Sequence, residues 1–282
     1  MLWDVDDTLV DADDIGRDLY QTAFREMFGG ALPEAGPMGG RTDRAIVREV
    51  LVMLGVTNPG QEVDAFTALL RARAPGMAEL ARARISEKPG AARAIAALAA
   101  LRDPKSPDSA VPGELPKVGS VVQSLLTGNV RELAEVKLGP FGFTKHLDLD
   151  AGAYGSEHAS RARLVTIARR NAALVYQHYF AGKDTVLVGD TPMDVAAALA
   201  TGARAVAVAT GRFTVSELAA AGAHAVLPDL VETGSVVEAI VGRRPAYEAG
   251  LWRPACPGRL RHAPSVPVRE GHARQGATVT NS

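Results

Sequence analysis

Three short runs in this chain combine acids, hydroxyls and glycines in a way that could do chemistry. The first is Asp4-Val5-Asp6-Asp7-Thr8, the second Leu126-Thr127-Gly128-Asn129, and the third Val188-Gly189-Asp190-Thr191-Pro192-Met193-Asp194. Each stands at the end of an apolar stretch. If the three met in one crevice, Asp4, Asp6, Asp190 and Asp194 would repel one another. Two unit charges about 4 Å apart cost on the order of 4 kcal/mol even at an effective dielectric near 20. A cation must offset this, or some of the acids must keep their protons. A hard divalent ion suits an all-oxygen site, and Mg²⁺ takes one or two carboxylates, waters and a substrate phosphate. The acid pattern therefore points to Mg²⁺ and phosphate. Each run also has a plainer reading. Thr127, Gly128 and Asn129 could form a helix cap and turn, and Asp194 could cap the helix after it.

The elements that would position these runs can be read from periodicity. Residues 1–10 make a buried strand ending in an acidic loop. Only three residues precede Asp4, which is short for a central strand and leaves open a start upstream of Met1. Helical spacing follows over 13–28, then from Thr42 or Asp43 to Leu54, over 61–73 and over 76–85. Residues 12–87 thus read as helical throughout, without a strand. An Ala-rich helix ends at Leu101, and 103–117 is a polar, Pro-rich loop. From Val118 strands and helices alternate. Strands are expected at 121–126, 147–151, 185–188, 205–209 and 225–227. Helices are expected at 130–138, 160–174, 194–201, 215–221 and 231–241. Such alternation predicts an α/β fold, a Rossmann-like parallel sheet with helices on both faces. In an open parallel sheet the carboxyl ends of the strands line one crevice, where ligands bind. All three runs would sit there. Beyond Gly242 periodicity stops, and residues 243–282 hold seven arginines against two glutamates, with several prolines. That composition reads as a disordered tail.

Composition narrows the function classes. The 282 residues are 47% hydrophobic and 22% charged, with a net charge of only -1. No strong global field favours nucleic acid or an anionic membrane. Aromatics are 5% of the chain, too few for base-stacking platforms. One cysteine, Cys256, excludes an internal disulfide framework. No apolar run approaches 18 residues, and the N-terminus lacks a signal-peptide pattern. The expectation is a cytoplasmic protein acting on a small molecule, as a monomer or a homodimer.

DVDDTLV, LLTGN and VGDTPMD together resemble the motifs of the haloacid dehalogenase superfamily, in a phosphoglycolate-phosphatase-like branch, over about residues 1–240. The resemblance implies a core of 1–11 and 88–242, with 12–87 as a small all-helical cap. It implies that Asp4 is a nucleophile forming an aspartyl-phosphate. Asp6 would protonate the leaving oxygen and then activate water, so its neighbours should help it hold a proton. Thr127, with Gly128 and Asn129, would bind the phosphoryl group. Asp4, the backbone of Asp6, and Asp190 would hold Mg²⁺, and Asp194 would support the metal shell or a cation. That cation is expected before the third motif. Arg161, which lies 29 residues before Asp190, is the first choice, with Arg163, Lys137 and Lys183 as rivals. Asp7 stands where many members carry glycine. Gly40-Arg41-Thr42-Asp43 resembles a cap segment facing the active site, where Arg41 could bind a substrate carboxylate or phosphate.

The implied function is a Mg²⁺-dependent phosphatase acting on a small phosphomonoester, phosphoglycolate-like or a sugar phosphate. A phosphomutase, a haloacid dehalogenase and an inactive binding protein on the same fold are the alternatives. Asp6 and the third motif argue against the dehalogenase.

Overall fold

A computed structural model describes residues 1–12, 14–34, 36–101 and 121–242. The expected tail at 243–282, the loop at 103–117 and Cys256 lie outside the described residues. The chain runs β1 (Leu2–Trp3), β2 (Val10–Asp11), α1 (Ile15–Phe28), α2 (Asp43–Met53), α3 (Gly60–Arg73), α4 (Ala78–Arg84), β3 (Ser86–Glu87) and α5 (Ala91–Ala100). It continues with β4 (Ser124–Leu125), α6 (Arg131–Leu138), α7 (Arg161–Tyr176), β5 (Val186–Gly189), α8 (Pro192–Ala200), β6 (Arg204–Val208), α9 (Val215–Ala220), β7 (Ala225–Leu227) and α10 (Thr233–Val241).

Five strands form one parallel sheet in the order β4-β1-β5-β6-β7. Alternation of side chains along each strand sorts the core onto two faces. Trp3, Leu125, Val188, Val206 and Val208 point to one side, where they meet α5, α6, α10 and the helices of the 15–84 segment. Leu2, Leu187, Ala205 and Ala207 point to the other, against α7, α8 and α9. The indole N–H of Trp3 donates to Gln123 Oε1 at 3.1 Å, and the Gln123 amide donates to the Ile95 carbonyl at 3.0 Å. This buried chain satisfies the polar edge of the largest core side chain. The expected fold class is the one observed.

Two local expectations are corrected. Residues 12–87 are not free of strand, because Ser86–Glu87 pairs antiparallel with Val10–Asp11. The two short strands bring the ends of the helical segment side by side. A two-residue strand offers no period for sequence reasoning to detect. The strand expected at 147–151 is a 3₁₀ turn over Leu149–Ala151. The Asp148 carboxylate accepts the N–H groups of Asp150 and Ala151 and so favours a turn over extension. Only an isolated bridge between Leu126 and Ala153 extends the sheet there. Among the described residues, no helix is long and apolar enough to cross a membrane.

Candidate active site

Strand order decides what meets. β1 lies between β4 and β5, with Trp3 level with Leu125 on one side and Val188 on the other. The next residue of β1, Asp4, is therefore flanked by the loops carrying Thr127 and Asp190. Asp4 is nearly fully buried, and its N–H donates to the Val188 carbonyl at 2.8 Å. The loop after it is tight. Leu9 and Val10 both donate to the Val5 carbonyl, and Asp7 takes φ 57°, in the left-handed region. Aspartate tolerates that region better than most residues, which accounts for an acid at this turn.

Arg161 opens α7 and is 8% exposed. Its Nη2 lies 2.8 Å from Asp4 Oδ1 and 2.6 Å from Asp194 Oδ1, and its Nε donates to Asp194 Oδ1 at 2.8 Å. Of the four cations considered, Arg161 is the one on Asp4. Arg163 and Lys183 are exposed, and Lys183 precedes β5, at the amino end of the sheet. Asp194 serves both readings offered for it. One carboxylate oxygen holds Arg161, and the other accepts the Thr191 N–H and hydroxyl in a capping box for α8.

Asp4, Asp190 and Asp194 offer ligand oxygens that all lie within 4.8 Å of one another, and all three are buried. Burial pushes the Asp4 carboxyl up to about 7. The Arg161 guanidinium opposes that shift, and the Asp194 and Asp6 charges add to it. Burial likewise pushes Asp190 up to about 9, reinforced by Asp4, Asp194 and Asp7. One guanidinium thus faces three crowded carboxylates, an imbalance that a hard divalent cation would correct. The all-oxygen donor set fits such an ion. Thr8 donates to Asp190 Oδ1 at 3.3 Å and orients it.

The second run lies against the first. Thr127 is fully buried, and its Oγ1 accepts the Asn129 N–H at 3.3 Å and the Asn129 side-chain amide at 2.8 Å. Its hydroxyl proton goes to none of the described residues. Gly128 is needed for close approach. A Cβ there would sit 1.9 Å from the Arg41 carbonyl oxygen, and the Gly128 carbonyl accepts the Asp43 N–H at 2.8 Å. Asn129 also donates to Asp6 Oδ2 at 2.7 Å. Lys137 donates to Asp6 Oδ1 at 2.6 Å and to Asn129 Oδ1 at 2.9 Å. Lys137, a rival for the cation on Asp4, is instead the partner of Asp6. The reason is reach: Lys137 ends α6, below the second run, whereas Arg161 enters beside the third.

Helices α1 and α2 close over these residues. Together with Asp4, Asp6, Asp190, Asn129, Lys137 and Arg161, they line a cavity of about 380 Å³ that includes Arg17, Tyr20, Met38, Arg41 and Ile46. Arg41 lines it while its Nη2 pairs with Glu49 at 2.5 Å. Thr42 caps α2 by accepting the Ala45 N–H. The Asp43 carboxylate accepts the Tyr20 hydroxyl at 2.8 Å and the Val130 N–H at 2.6 Å, so it ties α1 and α2 to the start of α6. Burial pushes the Asp43 carboxyl up to about 6, although both hydrogen bonds oppose the shift.

Sequence reasoning also missed Gly211 and Lys88. A Cβ at Gly211 would lie 2.0 Å from Asp190 Oδ2, so the loop after β6 can approach the third run only with glycine there. Lys88 Nζ lies 2.9 Å from Asp7 Oδ1 and 3.5 Å from Asp11 Oδ2, and it donates to the Thr210 carbonyl at 3.1 Å. The Lys-Pro-Gly run carries no sign of these remote partners.

Comparison with known proteins agrees with this fold. Residues 164–233 match the family model described as HAD-hydrolase-like. The fold is similar to that of a predicted phosphatase from Clostridium acetobutylicum, at 16% identity over 84% of this chain and 97% of that one, with a TM-score of 0.58. It is similar to a hydrolase from Pseudomonas syringae, at 15% identity over 85% and 97%, TM-score 0.55. It is also similar to CbbY from Rhodobacter sphaeroides, solved in complex with phosphate, at 18% identity over 83% and 95%, TM-score 0.51. The family match is confined to residues 164–233, and the solved structures share the fold of the chain. No curated protein sequence matches it.

Proposed function

We propose that the chain is a Mg²⁺-dependent phosphatase that hydrolyses a small phosphomonoester through an aspartyl-phosphate on Asp4. The observation that carries this is the Asp4 environment. A buried carboxylate at a strand end is held by Arg161, faces Asp190 and Asp194, and shares its cavity with Asp6.

In the first step an Asp4 oxygen attacks phosphorus, and the ester P–O bond breaks. A proton carried by Asp6 goes to the leaving oxygen. In the second step Asp6 takes a proton from water, the water oxygen attacks phosphorus, and the bond between phosphorus and Asp4 breaks. Inorganic phosphate leaves and Asp4 is a carboxylate again. Both Asp6 oxygens accept hydrogen bonds, one from the Asn129 amide and one from Lys137. Thr127 donates its hydroxyl proton to a phosphoryl oxygen, and Arg161 neutralises charge on the transferred group while aligning Asp4. Asp4, the Asp6 backbone carbonyl and Asp190 would hold Mg²⁺, which supplies charge neutralisation of the phosphoryl oxygens.

Residues 12–87 act as a cap over this site. The β2–β3 pair, which brings both ends of that segment together, and the α1 and α2 residues lining the cavity support this reading. A volume of about 380 Å³ suits a small metabolite such as phosphoglycolate or a sugar phosphate. Arg41 on that wall would meet an anionic group of the substrate. The phosphate bound by the similar CbbY is in keeping with this class of ligand.

The test is phosphate release from p-nitrophenyl phosphate and 2-phosphoglycolate, with Mg²⁺ and with EDTA, for wild type and Asp4→Asn. Release that needs Mg²⁺ and falls by at least 100-fold in Asp4→Asn is expected, consistent with loss of a covalent nucleophile. Undiminished release by Asp4→Asn, or in EDTA, would sink the mechanism.

A further inference from the structure

Lys137 is unusual in the core of this chain. It occupies the inward face of α6 with Leu133, Ala134 and Leu138, and its side chain is only 3% exposed. A buried ammonium is costly unless paired, and an aliphatic residue would serve the helix face better. The ammonium has two partners. It donates to Asp6 Oδ1 at 2.6 Å and to Asn129 Oδ1 at 2.9 Å.

These bonds close a ring. Asn129 donates from Nδ2 to Asp6 Oδ2 at 2.7 Å and to Thr127 Oγ1 at 2.8 Å. Lys137 can only donate, so it sets which end of the Asn129 amide faces it. The other end must then face Asp6 and Thr127. Both oxygens of Asp6 are thereby held, one by Lys137 directly and one through the amide that Lys137 orients. Asp6 is otherwise loosely restrained: its side chain is 38% exposed where it lines the cavity. Gly16 on α1 packs near the ammonium, where a Cβ would lie 3.8 Å from Nζ, and Asp43 feels its charge. Neither contributes a hydrogen bond to it.

We infer that Lys137 is a positioning residue for Asp6: through its own bond and through Asn129 it fixes the carboxyl that exchanges protons with the leaving oxygen and with water. This rests on the phosphatase reading for the role of Asp6, but the geometry itself does not. An acid held in one rotamer reaches the leaving oxygen in every encounter, whereas a half-exposed free one does so in a fraction of them. General acid catalysis is worth about 10²–10⁴-fold, so partial misplacement should cost about 10–100-fold.

The test compares Lys137→Met and Lys137→Arg with wild type on two substrates. p-Nitrophenolate leaves without a proton, whereas the alkoxide of 2-phosphoglycolate needs one. Lys137→Met is expected to lower kcat/KM for 2-phosphoglycolate by about 10–100-fold, and for p-nitrophenyl phosphate by less than about threefold. Lys137→Arg, which keeps a cationic donor, should recover part of the loss. An equal fall on both substrates, or no fall on either, overturns the proposal. Methionine matches the lysine stem, and Asp6 can turn to solvent, so the variant should fold; a thermal denaturation curve checks this. A crystal structure of Lys137→Met gives a readout independent of turnover. The Asp6 carboxylate and the Asn129 amide should leave their present rotamers. If both stay in place, Lys137 does not position them, whatever the chain hydrolyses. If they move while wild type hydrolyses neither ester, the phosphatase reading fails and the positioning one stands.

Discussion

Asp190→Asn should make the metal-free protein more stable near neutral pH. In the fold, burial and then the charges of Asp4, Asp194 and Asp7 push this carboxyl from 3.8 to about 9. In the unfolded chain it ionises near its ordinary value. Between those two values the folded state keeps a proton that the unfolded state releases. The group's contribution is therefore fully present below about pH 4, declines as pH rises, and levels off above about pH 9. Each pH unit is worth about 1.4 kcal/mol, so near pH 7 the cost reaches about 4 kcal/mol as an upper bound. Asparagine needs no proton, and its Oδ1 can still accept the Thr8 hydroxyl. In urea denaturation with EDTA, Asp190→Asn should be more stable than wild type by about 1–4 kcal/mol near pH 7, and indistinguishable from it near pH 4. Mg²⁺ should reverse the ranking. Wild type, which loses its proton to bind the ion, should gain stability, and the variant should gain little. If Asp190→Asn is destabilised equally at both pH values in EDTA, the carboxylates are not in conflict and the argument for a cation at this site fails.

Arg161→Ala leaves buried Asp4 and Asp194 without their shared counter-charge, and should lose about 3–5 kcal/mol near pH 8 by denaturant titration. Arg161→Lys keeps the charge but loses the fork that spans both acids. It should retain most of the stability while kcat/KM falls by about tenfold or more. Gly128→Ala places a methyl 1.9 Å from the Arg41 carbonyl and should cost about 1–3 kcal/mol, with loss of activity. Gly30→Ala, which has open space around it, is the control and should change neither.

The sequence by itself carried the fold class, because apolar periods of two and of about three and a half alternate clearly after Val118. It also carried the identity of the acids. Asp4 and Asp190 directly follow strands and Asp194 lies in the first turn of the next helix, and strand ends of a parallel sheet share one crevice whatever the details of packing. It could not carry the short elements. Val10–Asp11 and Ser86–Glu87 are two residues each, too few to show a period, and their pairing is decided by chain closure across the intervening helices. The cations were harder still. Spacing before the third run made Arg161 the first choice, but it could not exclude Arg163, Lys137 or Lys183. Only the strand order β4-β1-β5 and the entry point of each helix put Arg161 on Asp4 and Lys137 on Asp6. Asp43 and Gly211 were illegible for the same reason. Their partners, Val130 and Asp190, are remote in sequence, and nothing local in a residue records what the fold will bring against it.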